Sequence, residues 1–440
     1  MHADINTRGV ARKRTQRERL IAGMVSAAAR HGYADANVSQ VIAQAGVSRP
    51  TFYEYFDDKQ HCFLAAHQEL GELLMADIRT AVSAEAPQRA VQVAVRKLVE
   101  LAETHPHRAA LLVNEAMAGG SSALDAHDRL IDEIATVIEQ ARERAPATAL
   151  SPDLPVHIAL GAGRWLLAPA LRGARHDLTE IGEQIVRWLE RYMRPISEHS
   201  WRTLEPGPEL APSPHVAPPW LAPPMPLPRG RPKLARGEIA RNQRERILYA
   251  TAETVVRKEY NQMTVADIAA AAGVDKRIFY KHFRDKQQAF LAVHELGMQE
   301  MMAVSATAFF SVSEWPERVW VATRASTQFE ATHRVITELG HIQSHAVGAA
   351  AIQRIDDART AFSLFLQEGR QYAEDPPSPT EMEAIGGAVF EIAYGQARQG
   401  RCQQIARLAG HAVYLILAPF LGPTPATEFV EAKLREAAAA

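Results

Sequence analysis

The chain has 440 residues, 47% hydrophobic and 23% charged, with a formal net charge of −2. That is the composition of a globular protein with two or three cored domains, and a near-neutral total says nothing for or against nucleic acid, which responds to local charge. Two cysteines, Cys62 and Cys402, exclude a disulfide framework. The basic N-terminus lacks an apolar signal core, and Ala412 to Leu421 is too short to cross a bilayer, so a soluble cytoplasmic protein is expected.

The chain opens on a basic run, Arg8, Arg12, Lys13, Arg14, Arg17 and Arg19, opposed only by Glu18. Four helices are predicted to follow. The first, Gln16 to Arg30, has Leu20, Ile21, Met24 and Ala28 on its inner face. Asn37 caps the second, with Gln40 three residues on as an approximate capping box. Gly46 ends that helix, because a tight turn there calls for a left-handed residue, and Val47 plugs the turn into the core. Ser48 caps the third helix, Arg49 to Tyr55. Phe52 and Phe56, four apart, anchor it inward, leaving Arg49, Pro50, Thr51, Tyr53 and Glu54 outward. Asp58 caps the fourth helix, and Lys59 in its first turn opposes the helix dipole, a small cost that a phosphate partner would explain.

Beyond it, His127 to Arg144 and Leu178 to Met193 carry apolar stripes at helical spacing. Proline then recurs every few residues from Glu205 to Pro232, which predicts a semi-rigid extended spacer.

After the spacer the first pattern returns. Residues 241–294 align without a gap on residues 14–67, 227 positions earlier, and 22 of the 54 columns are identical. A repeat of this length points to a duplicated domain. A second basic cluster, from Arg229 to Arg246, precedes it as the first precedes its own copy, so the phosphate-attracting surface is expected twice. Thr264 with Asp267 forms the capping pair, Gly273 the turn, Val274 the plug and Asp275 the cap. Phe279 and Phe283 anchor the third helix, and Lys286 matches Lys59. Lys276, Arg277, Ile278, Tyr280 and Lys281 take the outward positions.

The duplication is expected to continue, since THPHRAALLVNEA from Thr104 resembles THRVITELGHI from Thr332. Met382 to Arg398 and Gln403 to Leu417 are further apolar helices, and no alternating strand pattern occurs anywhere. The expected fold is all-α: two tandem units, each a helix-turn-helix head and a helical-bundle body. The expected boundaries are 1–67 and 68–202 for the first head and body, 203–232 for the linker, and 233–294 and 295–440 for the second head and body. Glu338, His341 and His345 share one helix face with metal-ligand spacing, but such histidines more often pack, and no metal or other cofactor is expected. No nucleophile motif, glycine-rich phosphate loop or paired carboxylate argues for an enzyme.

The segments VSQVIAQAGVSRPTFYEYFDDKQHCF and VADIAAAAGVDKRIFYKHFRDKQQAF resemble the TetR family of transcriptional regulators. The resemblance implies phosphate contacts for Tyr53, Lys59, Tyr280 and Lys286, and base reading by Arg49 to Thr51 and by Lys276 to Ile278. The DNA-binding set it suggests also includes the caps Asn37, Ser48, Thr264 and Asp275. It implies bodies that hold a small-molecule effector. Pro155 to Leu171 with Leu178 to Met193, and Met382 to Arg398 with Gln403 to Leu421, would form an intrachain pseudo-dimer or a homodimer. Family members carry one head, whereas this chain has two. Arg229, Gly230 and Arg231 lie in PRGRPK, which resembles the AT-hook core, an arm for the minor groove. The expected partner is double-stranded operator DNA, read by a ligand-responsive repressor. The alternative is a ligand-binding or scaffold protein with one or both heads impaired, as acids such as Glu54 and Asp275 beside the groove would allow.

Overall fold

The computed structural model describes residues 2–173, 177–216, 224 and 235–439, with the side chains of 2–14, 438 and 439 outside the description. It divides into two compact units. The first comprises Met1–Pro152 and Ala159–His199, the second Asp153–Ile158 and Ser200–Ala440.

In the first unit the head consists of α1 (His2–His31), α2 (Val38–Ala45), α3 (Arg49–Tyr55) and the start of α4 (Lys59–Ala84). Its core is Leu20, Met24, Ala28, Val41, Phe52, Phe56 and Phe63, all essentially without solvent contact. Removing a phenylalanine of this kind from water contributes about 2–3 kcal/mol. The body continues through α5 (Ala90–Thr104) and α6 (Pro106–Ala110), a π-turn at Leu111–Glu115, α7 (Ala116–Ala118), α8 (Ser121–Arg142), α9 (Val156–Leu171), which belongs to this unit from Ala159 on, and α10 (Leu178–Glu190). The long α4 joins head to body, packing on α1 at one end and on α5 and α8 at the other. One feature departs from the all-helical expectation. Strands β1 (Leu150–Pro152) and β2 (Met193–Pro195) pair antiparallel, Ser151 opposite Arg194. Strands of three residues, each ending in a proline, are too short to show alternation, so no period-two pattern announced them.

The second unit repeats the plan: α11 (Arg236–Lys258), α12 (Val265–Ala272), α13 (Lys276–His282) and α14 (Lys286–Phe309) for the head and its bridge. Its body holds α15 (Trp315–Thr332), α16 (Arg334–Glu338), a π-turn at Leu339–Gln343, α17 (Ala349–Leu366), α18 (Pro379–Arg398), α19 (Ala409–Leu421) and α20 (Pro423–Ala439). The expected helix Gln403 to Leu417 begins as a 3₁₀ segment, Cys402–Leu408, before α19. The stretch Cys402–Leu421 is long and apolar enough to cross a bilayer by length and composition, but 72% of it is buried inside this unit.

Residues 203–216, expected to be part of a solvated spacer, instead lie along the second unit as a strap. Asp153 accepts from the backbone N–H of Ser200 (3.1 Å) and Trp201 (2.9 Å). The Trp201 ring stacks on Tyr414 with centroids 4.9 Å apart, and its indole N–H reaches Thr427. Gly207 and Arg407 exchange two hydrogen bonds of 2.8 Å, Arg324 donates to the Ala211 carbonyl, and Gln328 accepts from the Ser213 N–H. Val216 packs against the hydrophobic core that runs through the second head into its body. An extended, proline-rich backbone keeps its polar groups unpaired by any ladder, and here the side chains of Arg324, Gln328 and Arg407 and the Arg407 carbonyl satisfy several of them. Trp220 and Leu221 lie outside the described residues.

Candidate nucleic-acid interface

Each head presents a seven-residue helix, α3 or α13, held by a cap, a glycine turn and two buried phenylalanines. Asn37 and Gln40 form a reciprocal capping box at the start of α2, as Thr264 and Asp267 do for α12. The turn glycines Gly46 and Gly273 sit at φ 59° and 60°, the left-handed region open to glycine. Ser48 Oγ accepts from Thr51 N at 3.3 Å to start α3, and Asp275 Oδ1 accepts from Arg277 N at 2.6 Å to start α13. Asp275 therefore spends its charge on its own helix end, where a carboxylate is favoured, and pairs loosely with the Arg277 side chain at 3.6 Å. Phe52 and Phe279 are fully buried, with Phe56 and Phe283 beside them.

The inward anchors leave Arg49, Pro50, Tyr53 and Glu54 exposed and Thr51 half-buried on α3. On α13 they leave Lys276, Arg277, Tyr280 and Lys281 exposed and Ile278 half-buried. Tyr53 and Tyr280 retain 51% and 57% of their accessible surface, unusual for so large an aromatic residue in a folded head. Such a ring beside outward arginines suits a phosphate wall.

Two groups of residues expected to meet DNA also have partners within the heads. Lys59 was assigned to a phosphate, but its ammonium donates to the carbonyls of Tyr33 (2.8 Å) and Ala36 (2.9 Å) and lies 4.2 Å above the Tyr33 ring. Lys286 does the same at Tyr260 (2.8 Å) and Met263 (2.9 Å), 4.4 Å above the Tyr260 ring. Burial pushes both lysines below the usual ammonium range. Carbonyls beyond the end of the first head helix supply the compensation that the dipole argument sought from phosphate.

Four arginines of the basic runs are likewise engaged within the heads. Arg19 donates to the Gly46 carbonyl at 2.7 Å and Arg246 to Gly273 at 3.0 Å, each bracing the turn that presents the reading helix. Arg17 pairs with Glu69 and lies over Phe56, and Arg244 lies over Phe283. The side chains of Arg8, Arg12, Lys13 and Arg14, and the whole of Arg229, Gly230 and Arg231, lie outside the described residues.

The metal-spaced face does not assemble. Glu338 turns to Arg334 (2.6 Å), and His341 pairs with Glu330 (2.8 Å) instead of with Glu338. Among the described residues no group of three or more His, Cys, Asp or Glu side chains could hold a metal ion.

Sequence reasoning passed over Arg19, Arg246, Tyr33 and Tyr260 as individual actors. All four stand in columns identical between the copies. Identity within the repeat, read as a demand for one shared geometry, was the signal that could have found them.

Comparison with known proteins follows the same line. The family model for bacterial regulatory proteins of the tetR family matches residues 20–66 and again residues 247–293. A search of curated proteins gives no match. Similar solved structures include a fatty acid degradation regulator, FadR, from Bacillus halodurans (17% identity, 40% of this chain and 94% of that one, TM-score 0.37). Another is FadR from Bacillus subtilis, solved in complex with stearoyl-CoA (15% identity, 39% and 96%, TM-score 0.35). A third is a TetR-family regulator from Marinobacter aquaeolei (16% identity, 40% and 96%, TM-score 0.33). The two heads, whose caps, turn and anchors are described above, are thus tandem copies of the DNA-binding domain of the tetR family of bacterial regulatory proteins.

Proposed function

We propose that the chain is a one-component, cytoplasmic transcription regulator, a ligand-responsive repressor. Its two non-identical heads read an asymmetric or pseudo-palindromic operator in double-stranded DNA. One observation carries the reading. The heads share their supporting bonds (lysine on tyrosine carbonyl, arginine on turn carbonyl, paired phenylalanines), yet present Arg49, Pro50 and a half-buried Thr51 in one case and Lys276, Arg277 and a half-buried Ile278 in the other. A homodimer of single heads must offer the same side chains twice and so favours a palindrome. This chain offers two different sets, and an outward arginine is the commonest reader of guanine in the major groove.

The bodies would supply the regulation. A small molecule that prefers a body conformation incompatible with operator spacing must weaken DNA binding by linkage. The reading needs no catalytic step or cofactor, and the DNA-bound form is an intrachain pseudo-dimer or a homodimer.

Selection of bound duplexes from a random pool tests this directly, followed by mobility shift at rising salt. Two dissimilar half-sites and a steep salt dependence are expected. Equal, weak binding to every sequence would overturn the reading in favour of a scaffold with impaired heads.

A further inference from the structure

The weak second match along the chain, Thr104 onward against Thr332 onward, turns out to mark a shared joint. In both units the segment forms a one-turn π-helix, Leu111–Glu115 and Leu339–Gln343, offset by 228 positions. π-Helices are rare, and where they occur they commonly sit at functional positions. The last residue of each π-turn reaches the end of the head's first helix. Glu115 Oε2 accepts from the Tyr33 N–H at 2.5 Å, and Gln343 Oε1 accepts from the Tyr260 N–H at 2.9 Å. The carbonyls of those same tyrosines accept from Lys59 and Lys286. Each lysine opens the helix that follows the reading helix, separated from α3 or α13 by only three residues.

A hydrogen-bonded path therefore runs from the body's π-turn through one tyrosine backbone to a lysine beside the DNA-facing helix, and it is built twice with different acceptors. A connection kept in both copies although its acceptor differs is poorly explained by packing coincidence. The acceptor is a carboxylate in one unit and a neutral amide in the other, so it is the bond and not the charge that the two share.

We infer that Glu115 and Gln343 are positioning residues for DNA reading, tying each body to its own head so that the reading helix is held at a fixed angle. The inference rests on the heads binding DNA. A head released from its strut samples more orientations, and ordering it on DNA then costs affinity.

The test uses the full chain and the duplex selected by the unmodified protein, footprinting both half-sites while circular dichroism follows melting. Glu115→Ala should weaken protection of one half-site about tenfold, the scale of one lost hydrogen bond to a charged group, and Gln343→Ala should weaken the other. Glu115→Gln and Gln343→Glu each keep an acceptor and should restore wild-type protection. Unchanged footprints in both alanine variants would overturn the inference. So would exchanged variants that lose as much as the alanines, or a loss spread equally over both half-sites. If an alanine variant fails to fold, the exchanged variants decide alone, because they retain the bond and must bind normally. Failure of the unmodified chain to protect any DNA would instead sink the DNA-reading function itself.

Discussion

At matched positions the two bodies enclose different chemistry within one backbone plan. Val95, Val99, Ala102, Ala109 and Val113 of the first body correspond to Thr323, Thr327, Glu330, Thr337 and His341 of the second. The first five are buried and apolar. In the second body the threonines and His341 are buried too, and Glu330 keeps only 14% of its side-chain surface. Much of the polar set is paired internally, although His341 Nδ1 has no partner. Thr327 bonds the Thr323 carbonyl at 2.7 Å, Thr337 bonds the Glu330 carbonyl at 2.8 Å, and Glu330 meets His341. Duplication has thus preserved where helices go while changing what their shared interior can accept. For the regulator proposed above, two bodies so different would be poorly suited to answer the same small molecule, just as two heads with different outward residues would be poorly suited to the same half-site.

The largest expected effect probes what the units still share. Burial pushes His67 and His294, at equivalent places beside Phe63 and Phe290, down to about 4. The unfolded chain takes up these protons near pH 6.5, so it binds more protons than the folded chain between about 6.5 and 4. Stability is fully present above that window and falls as pH drops through it, by about 3 kcal/mol for each histidine at the acid end. His67→Leu and His294→Leu, followed by melting from pH 7 to 4, should each flatten the acid response by a similar amount. A response confined to one variant would break the equivalence of the scaffolds.

The next effect sharpens the difference between the interiors. Glu330→Ala or His341→Val alone should cost about 2–3 kcal/mol, because each strands a buried polar partner. The double change, which installs the first body's Ala102 and Val113, should cost clearly less than the sum in a denaturant-melting cycle. At the heads, Arg49→Ala and Arg277→Ala should each remove about 1–3 kcal/mol of base discrimination. Binding to systematically varied duplexes should place the two losses in different half-sites, and coincident positions would end the two-reader picture. The smallest effect lies at the joint. The residue ending the first helix is Gly32 at φ 74° in one unit and Glu259 at φ 60° in the other. Glu259→Gly should stabilise the second unit by about 1 kcal/mol, and Gly32→Ala should destabilise the first by at least as much. Equal and opposite shifts in chemical denaturation would locate stored backbone strain in the second joint alone.

Much of the head could be read in the sequence because its determinants are local. A cap, a left-handed glycine and two phenylalanines four apart each act within a few residues, and Asn37, Gly46, Ser48, Phe52 and Phe56 all stand where spacing placed them. The carbonyl partners of Lys59 could not be read, because Tyr33 and Ala36 come from more than twenty residues away and dipole arguments see only one helix. The same holds for Glu115, whose partner is 82 residues distant. The strap was missed for another reason. Composition correctly denied residues 203–216 regular structure, but an extended backbone can be solvated or docked with equal ease. Trp201 and its stacking partner Tyr414 are 213 positions apart in the chain.

Asp153 gives the strap a consequence for how this protein can be taken apart. Residues 153–158 cluster with the second unit, while 159–199 cluster with the first. The polypeptide therefore contributes to the second half, departs, and comes back at Ser200. A gene truncated at the apparent linker would make a second half deprived of the carboxylate that seats Ser200 and Trp201. Although they began as copies, the halves have become interleaved, and no single incision yields two intact pieces.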